Sequence, residues 1–489
     1  MSIKKLLIIF SILFIASPIY AIYEDELFSR KVKITQGSEL SVADCVALAF
    51  KNSPKIKRQK YNLDIAKSNV GIARSAYFPI FSAGVGFYNE NNSNSVYYNK
   101  TYRNLPSVSI ALNKLIWDFG KTTALIKMDD FHKIAAEYEF MDSICATLFD
   151  TKAKYYKVLK FKAKLAIAQK DVEMGKRFLK ISRGLPDKET AEVAISNSIG
   201  DVINFEKDYK NAILDLNNSM YLDTNVDFKV KNTKTFYLKP DFTESLTRAD
   251  FNPEKFSFSR DNAVQIAYEN SPDLQVLVNT KKAMEQSLIY VKRMYFPQLK
   301  ANVGYGFNNN NISDTNNSLQ VGVDLSSTVN LMELKHSLKK SDAQVSRADN
   351  EITLFKKDLY YEVKRALNNV DKAEQITIET FDTIKDATDE LKVVEAEYKS
   401  GKLDYMALQN ARKDYINALY DYVNYVYEYN MALIQVEMAM HYHIADIHHK
   451  TEHAMHNHAD ELIEHLNEAL ECDEQEVHNR KHKSKREKL

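Results

Sequence analysis

The chain has 489 residues, with 66 Lys and Arg against 66 Asp and Glu, a balance that leaves no basic footprint for nucleic acid. Its three cysteines, Cys45, Cys145 and Cys472, are odd in number and far apart, which argues against a disulfide framework or a cysteine metal site. No phosphate-cradling loop, nucleophile motif or dinucleotide fingerprint occurs, so no enzyme is expected.

Residues 1–21 read as a secretory leader. Lys4 and Lys5 supply the charge, residues 6–16 the apolar core, and Ser17-Pro18-Ile19-Tyr20-Ala21 a small residue suited to cleavage. The apolar run is shorter than the ~20 residues of a membrane span. No cysteine stands directly after the cleavage point, so no lipid is expected there. After cleavage 64 basic residues face 66 acidic ones, and no apolar stretch of spanning length remains.

Further along, Ala83, Val85 and Phe87 alternate with Gly84 and Gly86. Val108, Ile110 and Leu112 alternate with Ser109, Ala111 and Asn113, across a polar loop at 89–104. A period of two predicts a hairpin over about 80–117, with one apolar face and one small or polar face. Neither Gly nor Pro occurs from Lys121 to Met174, and the composition there predicts long helices over about 121–220. Leu148, Tyr155 and Leu159 form a narrow apolar stripe, as in packed or coiled helices.

The second half repeats the first. Asn52-Ser53-Pro54 recurs as Asn270-Ser271-Pro272, and Tyr77-Phe78-Pro79 as Tyr295-Phe296-Pro297, both offset by 218 residues. Gly84-Val85-Gly86-Phe87 recurs as Gly304-Tyr305-Gly306-Phe307, and Arg183-Gly184 meets Ser400-Gly401. Such self-similarity marks two similar structural units. A second hairpin is predicted over about 298–330. There Ala301, Val303, Tyr305 and Phe307 alternate with Lys300, Asn302, Gly304 and Gly306, while Leu319, Val321, Val323 and Leu325 alternate with Gln320, Gly322, Asp324 and Ser326. Between Gly322 and Gly401 there is neither Gly nor Pro, and long helices are predicted over about 331–445. At ~1.5 Å per residue such helices reach roughly 80–110 Å. The expected organisation is a leader at 1–21, a first repeat at 22–235, a second at 236–445, and a His-rich, basic and partly disordered tail at 446–489.

Strands of about ten residues with one apolar face suit a tilted crossing of an outer membrane, lipid outside and water inside. Four strands cannot close around water, and an open edge in lipid leaves backbone groups unpaired at several kcal/mol each. Several copies must then share one barrel. Lys300, Asn302, Gln320 and Asp324 are the expected lumen residues. The expected class is therefore an α+β membrane protein built from a duplicated hairpin plus long antiparallel helices. A soluble sandwich would leave the leader and the helices unexplained, and a surface coiled coil or adhesin would need no water-filled pore.

The stretch at 41–49 followed by Asn52-Ser53-Pro54 resembles the opening of TolC-type outer-membrane efflux proteins. So do Ala73-Arg74-Ser75-Ala76-Tyr77-Phe78-Pro79 and Leu115-Ile116-Trp117-Asp118-Phe119-Gly120, the latter similar to that family's strand exit into a long helix. Glu397-Tyr398-Lys399-Ser400-Gly401 with Leu408-Gln409-Asn410-Ala411-Arg412 resembles its helix hairpin near the periplasmic tip. The resemblance implies a homotrimer with a twelve-stranded outer-membrane β-barrel continued by a periplasmic α-helical tunnel. It implies a passive exit duct for efflux or type I secretion, served by an inner-membrane pump and a periplasmic adaptor that choose the cargo. It implies gate residues around the tip glycines: Asp187, Glu189 and Glu192 in the first half, and Tyr398, Gly401, Asp404 and Asn410 in the second. The sequence departs from the pattern at Asn330-Leu331-Met332-Glu333, where the glycine turn of the first half is missing, and at Pro186 in the first tip.

Ten of the twelve histidines lie after Met440. His449, His453 and His456 share a helical face, and with His458 they could hold Zn, Ni or Cu through neutral imidazoles. His449-Lys450-Thr451-Glu452-His453 fits an H-x-x-E-H peptidase pattern, but one five-residue match in a His-rich tail does not make an enzyme. No resident cofactor is expected.

Overall fold

The computed structural model describes residues 37–91, 102–222, 228–233, 260–311 and 314–441. In chain order run β1 (Glu39–Leu40), α1 (Val42–Asn52), α2 (Pro54–Ser75), β2 (Ile80–Asn91), β3 (Tyr102–Trp117), α3 (Lys121–Ile181), α4 (Leu185–Ser219), β4 (Lys229–Val230), α5 (Arg260–Asn270), α6 (Pro272–Lys292), β5 (Gln298–Asn311), β6 (Asp314–Ser326), α7 (Leu331–Ser400) and α8 (Tyr405–Met440). The two longest helices, α3 and α7, have 61 and 70 residues. Among the described residues no helix is long and apolar enough to cross a membrane.

The repeated Asn-Ser-Pro motif breaks one helix and starts the next. Ser53 and Ser271 are fully buried. Each hydroxyl accepts a backbone N–H three residues on, from Ile56 at 3.3 Å and from Leu274 at 3.2 Å. The proline that follows lacks an N–H where a helix start does not need one. Thus α1 is separated from α2, and α5 from α6, by the same chemistry. Ahead of α1, Ser41 and Asp44 form a reciprocal capping box.

The residues gather into two compact units, each drawing on both halves of the chain. The first comprises Met1–Ile56, Ile144–Asn270 and Leu359–Leu489. Its core is helix on helix: Tyr155, Leu159 and Phe178 of α3, Leu391 and Tyr398 of α7, and Leu408, Leu419, Val423 and Val426 of α8 are buried. Burying each such side chain stabilises by about 1.5–3 kcal/mol. Of the stripe residues, Tyr155 and Leu159 lie on these buried faces, and Leu148 is half-buried. A parallel two-residue pairing of β1 with β4 adds a small sheet. The Tyr155 hydroxyl lies 2.6 Å from the Lys231 carbonyl and 3.0 Å from that of Leu40, so it spans both strands. Burial, then the nearby Asp44 carboxylate, pushes the Cys45 thiol up to about 12, which leaves it a packing residue and not a nucleophile.

The second unit comprises Lys57–Ser143 and Ser271–Asp358. It holds a four-stranded sheet in the order β2-β3-β5-β6, every pair antiparallel. The central pair, β3 with β5, joins the two halves of the chain. The outer edges of β2 and β6 pair with no other strand among the described residues.

The strands pass into helices differently in the two halves. After β3, Phe119 and Gly120 both have positive φ, 57° and 80°. Asp118 stabilises this turn by accepting the backbone N–H groups of Gly120 at 3.1 Å and Thr122 at 2.7 Å. Between β6 and α7 no positive φ occurs. Asn330 instead caps α7, its side-chain oxygen accepting from Met332 and Glu333, each at 3.2 Å. The missing glycine is therefore a change of cap and not a lost helix start.

Candidate functional site

The register of the sheet sorts its side chains. Lys300 stands opposite Asp324, Asn302 opposite Gly322, and Gly304 opposite Gln320. Across β3 the same rows continue as Asn113 beside Asn302, Ala111 beside Gly304 and Ser109 beside Gly306. Directly opposed residues share a face, so all four sequence-derived lumen candidates lie on one small and polar face. The other face carries Leu112, Val303 and Val321 in one row, and Ile110, Tyr305 and Leu319 in the next. Glycines leave the polar face shallow. A Cβ at Gly322 would lie 2.7 Å from Asn302 Oδ1, and one at Gly84 would lie 3.2 Å from Ser109 Oγ.

At the foot of the sheet the alternation is deliberately broken. A bulge between Leu115 and Trp117 puts Leu115 opposite Lys300 and Trp117 opposite Leu299. The extra residue re-aims the tryptophan to the apolar side. Its ring lies 5.2 Å from Phe119, which stacks on Phe296 at 5.3 Å, which stacks on Tyr295 at 4.6 Å. These four rings are all exposed. Arg293 holds the turn beneath them by donating from Nη1 to the Gly120 carbonyl at 3.0 Å. A Cβ at Gly120 would lie 2.5 Å from that guanidinium, so a side chain there would displace Arg293 as well as strain a φ of 80°.

In the other unit, the ends of α3 and α7 are tied together. The Tyr398 hydroxyl donates to Asp187 Oδ2 at 2.8 Å and accepts from the Arg183 backbone N–H at 3.2 Å. The Arg183 guanidinium lies over the Tyr398 ring, 4.9 Å from its centre, and donates to the Lys399 carbonyl. Burial, reinforced by the Asp187 carboxylate, pushes the Tyr398 phenol up to about 12. Gly401, at φ 88°, closes α7. Its N–H bonds to the Tyr398 carbonyl, and that of Lys402 to the Glu397 carbonyl, each at 3.0 Å, the paired bonds of a Schellman end.

Of the seven gate candidates, the fold thus brings Asp187 and Tyr398 into direct contact and sets Gly401 beside Arg183. Asp404 caps α8 by accepting the Ala407 N–H at 2.9 Å. Glu189 and Glu192 lie exposed on α4, and Asn410 exposed on α8. Arg183 belongs to the same group and was not singled out from the sequence. Its only sequence signal was its place next to the tip glycine.

A second cluster, also missed, lies deeper in the same unit. Arg412 of α8 is buried, as are Asp171 of α3 and Ser198 of α4. Arg412 donates from Nε to Asp171 Oδ1 at 2.7 Å, and from Nη2 to the Asp171 carbonyl at 2.9 Å and Ser198 Oγ at 2.7 Å. Nη1 donates to Gln409 Oε1 at 3.1 Å, and Ser198 Oγ donates to Asp171 Oδ2. The signal that could have found it is a charge inside an apolar stripe, since Leu408, Arg412, Tyr415 and Leu419 recur at helical spacing. The metal candidates His449, His453, His456 and His458 lie outside the described residues, as does the leader.

A family model described as outer membrane efflux protein matches residues 46–184 and 263–440. Among solved structures the chain is similar to that of CusC, with a TM-score of 0.70 at 13% identity, covering 87% of this chain and 99% of that one. It is similar to the Campylobacter jejuni CmeC outer membrane channel, with a TM-score of 0.69 at 14% identity, covering 87% and 89%. It is also similar to the Neisseria gonorrhoeae MtrE outer membrane channel, with a TM-score of 0.65 at 11% identity, covering 85% and 97%. At these identities the likeness is one of fold. No curated protein sequence matches the chain.

Proposed function

The chain belongs to the outer membrane efflux protein family, and we propose that it serves as the exit duct of a tripartite efflux or type I secretion system. The observation that carries this reading is the two-faced open sheet, with Lys300, Asn302, Gln320 and Asp324 on one side and Val303, Val321 and Leu319 on the other. Three copies would close twelve strands into a barrel, which satisfies the free edges of β2 and β6. Its apolar face meets lipid and its polar face meets water. The exposed rings of Trp117, Phe119, Tyr295 and Phe296 suit the membrane boundary, where one side of an aromatic is wet. The long helices continue the passage through the periplasm, towards an adaptor and an inner-membrane pump. Cargo choice rests with that pump.

In this reading the turns around Arg183–Asp187 and Tyr398–Asp404 form the constriction. The Tyr398–Asp187 contact holds neighbouring helix ends together, and acidic groups nearby act on passing ions at close range. The test is insertion of the purified full-length protein into a planar bilayer. Discrete, stable conductance steps are expected. A protein that inserts with native sheet content and gives no steps would overturn the duct in favour of a surface protein without a pore.

A further inference from the structure

The Arg412 cluster is expensive in a way that packing does not require. Arg412 and Ser198 are each 4% exposed and Asp171 9%, so two charges are withdrawn from water. A buried ion pair of this kind contributes little net stability against apolar residues of the same volume, because desolvation offsets the attraction. What it can contribute is discrimination between packings. Any slip of α8 along its partners would strand the guanidinium or the carboxylate without a partner, and an unpaired buried charge is strongly destabilising. The neighbouring helices are shaped for this one arrangement. A Cβ at Gly175 would lie 2.8 Å from Ile195 Cγ1, 3.1 Å from Arg412 Nη2 and 3.2 Å from its Nη1. Glycine inside a helix is destabilising relative to alanine, and here it opens the notch through which the guanidinium reaches α3.

We infer that Arg412, with Asp171, Ser198 and Gly175, is a register lock that fixes α8 against α3 and α4 and thereby sets the width of the passage at the helix turns. These are positioning residues: none of them needs to touch cargo. All lie within about four helical turns of the ends of their helices. A slip in the register of α8 therefore displaces the turn at Gly401–Asp404 against that at Arg183–Asp187. The inference rests on the duct reading and adds to it a device that acts behind the constriction.

The test compares stability and conductance in one set of variants. Replacing the cluster together, Arg412→Met with Asp171→Leu and Ser198→Ala, removes both charges at once and leaves no charge stranded. Its unfolding temperature is expected to equal or exceed that of the unaltered protein. Its single-channel conductance is expected to rise by roughly twofold or more, or to switch among levels where the unaltered protein holds one. Gly175→Ala keeps every charge but crowds the guanidinium and Ile195, and should shift conductance in the same direction by less. A combined variant as stable as the unaltered protein and identical in conductance overturns the lock. Should the combined variant fail to assemble, unchanged conductance in Gly175→Ala overturns it equally. If the unaltered protein itself conducts nothing, the duct reading fails first and the lock falls with it.

Discussion

Gly401 has a φ of 88°, whereas Gly184 has a φ of −139° in extended backbone. Both glycines sit at helix turns and look equivalent in the repeat, yet only one needs to be glycine. A side chain at Gly401 would be strained by its backbone and would meet Arg183 Nη1 at 3.0 Å. Gly401→Ala should therefore cost about 1–2 kcal/mol, while Gly184→Ala should cost less than about 0.5 kcal/mol. Denaturant unfolding of the detergent-solubilised protein measures both, and equal costs would contradict the assignment. Conformation at a single residue of this kind cannot be read from a repeat, because the repeat fixes where a turn lies and not which residue takes positive φ. The same holds for the exits from the two hairpins. Asp118 with Gly120 and Asn330 alone achieve the same helix start by different bonds.

Among the elements, the strands were the most legible. Leu319, Val321, Val323 and Leu325 alternate without interruption, and the pleat converts that period into a face. What the alternation could not reveal was the bulge at Leu115–Trp117, since an extra residue is visible only against its partner strand. The helices were legible from the absence of breakers, and the Ser-Pro pairs from their recurrence. The Arg412 cluster was not, because it joins α3, α4 and α8 across large separations in sequence. The sheet supplies its own test. Val321 is 73% exposed in the single chain and stands opposite Val303. Val321→Arg should disrupt membrane assembly at about 2–4 kcal/mol if it lies near the midplane. Asp324→Asn, on the opposite face beside Lys300, should fold normally and change only ion selectivity. Folding in lipid vesicles and reversal potentials distinguish the two, and like behaviour would sink the face assignment.

At the scale of the whole molecule, a sheet with two unpaired edges is expected to be completed by copies of itself. Native mass measurement of the detergent-solubilised protein should give a stable trimer, and a stable monomer with intact sheet content would refute it. The C-terminal tail is a separate matter. Truncation after Met440 should leave trimer mass and conductance unchanged while removing most Zn or Ni binding, measured by titration. Loss of conductance on truncation would show that the tail takes part in the passage wall.

The pairing of β3 with β5 also governs how the chain can be made. Each hairpin joins strands close in sequence and can form in roughly microseconds. The seam between them joins Ser109 to Gly306 and Leu112 to Val303, so it cannot begin until the second half of the chain has been delivered. Loop-closure entropy must be overcome before such distant contacts form, and topologies of this kind fold slowly. The first hairpin must wait with an apolar face and both edges uncovered. As it is made, the chain therefore passes through a stage at which one half is ready to pair and has no partner. That stage, and not the finished assembly, is where it is most exposed to aggregation and proteolysis.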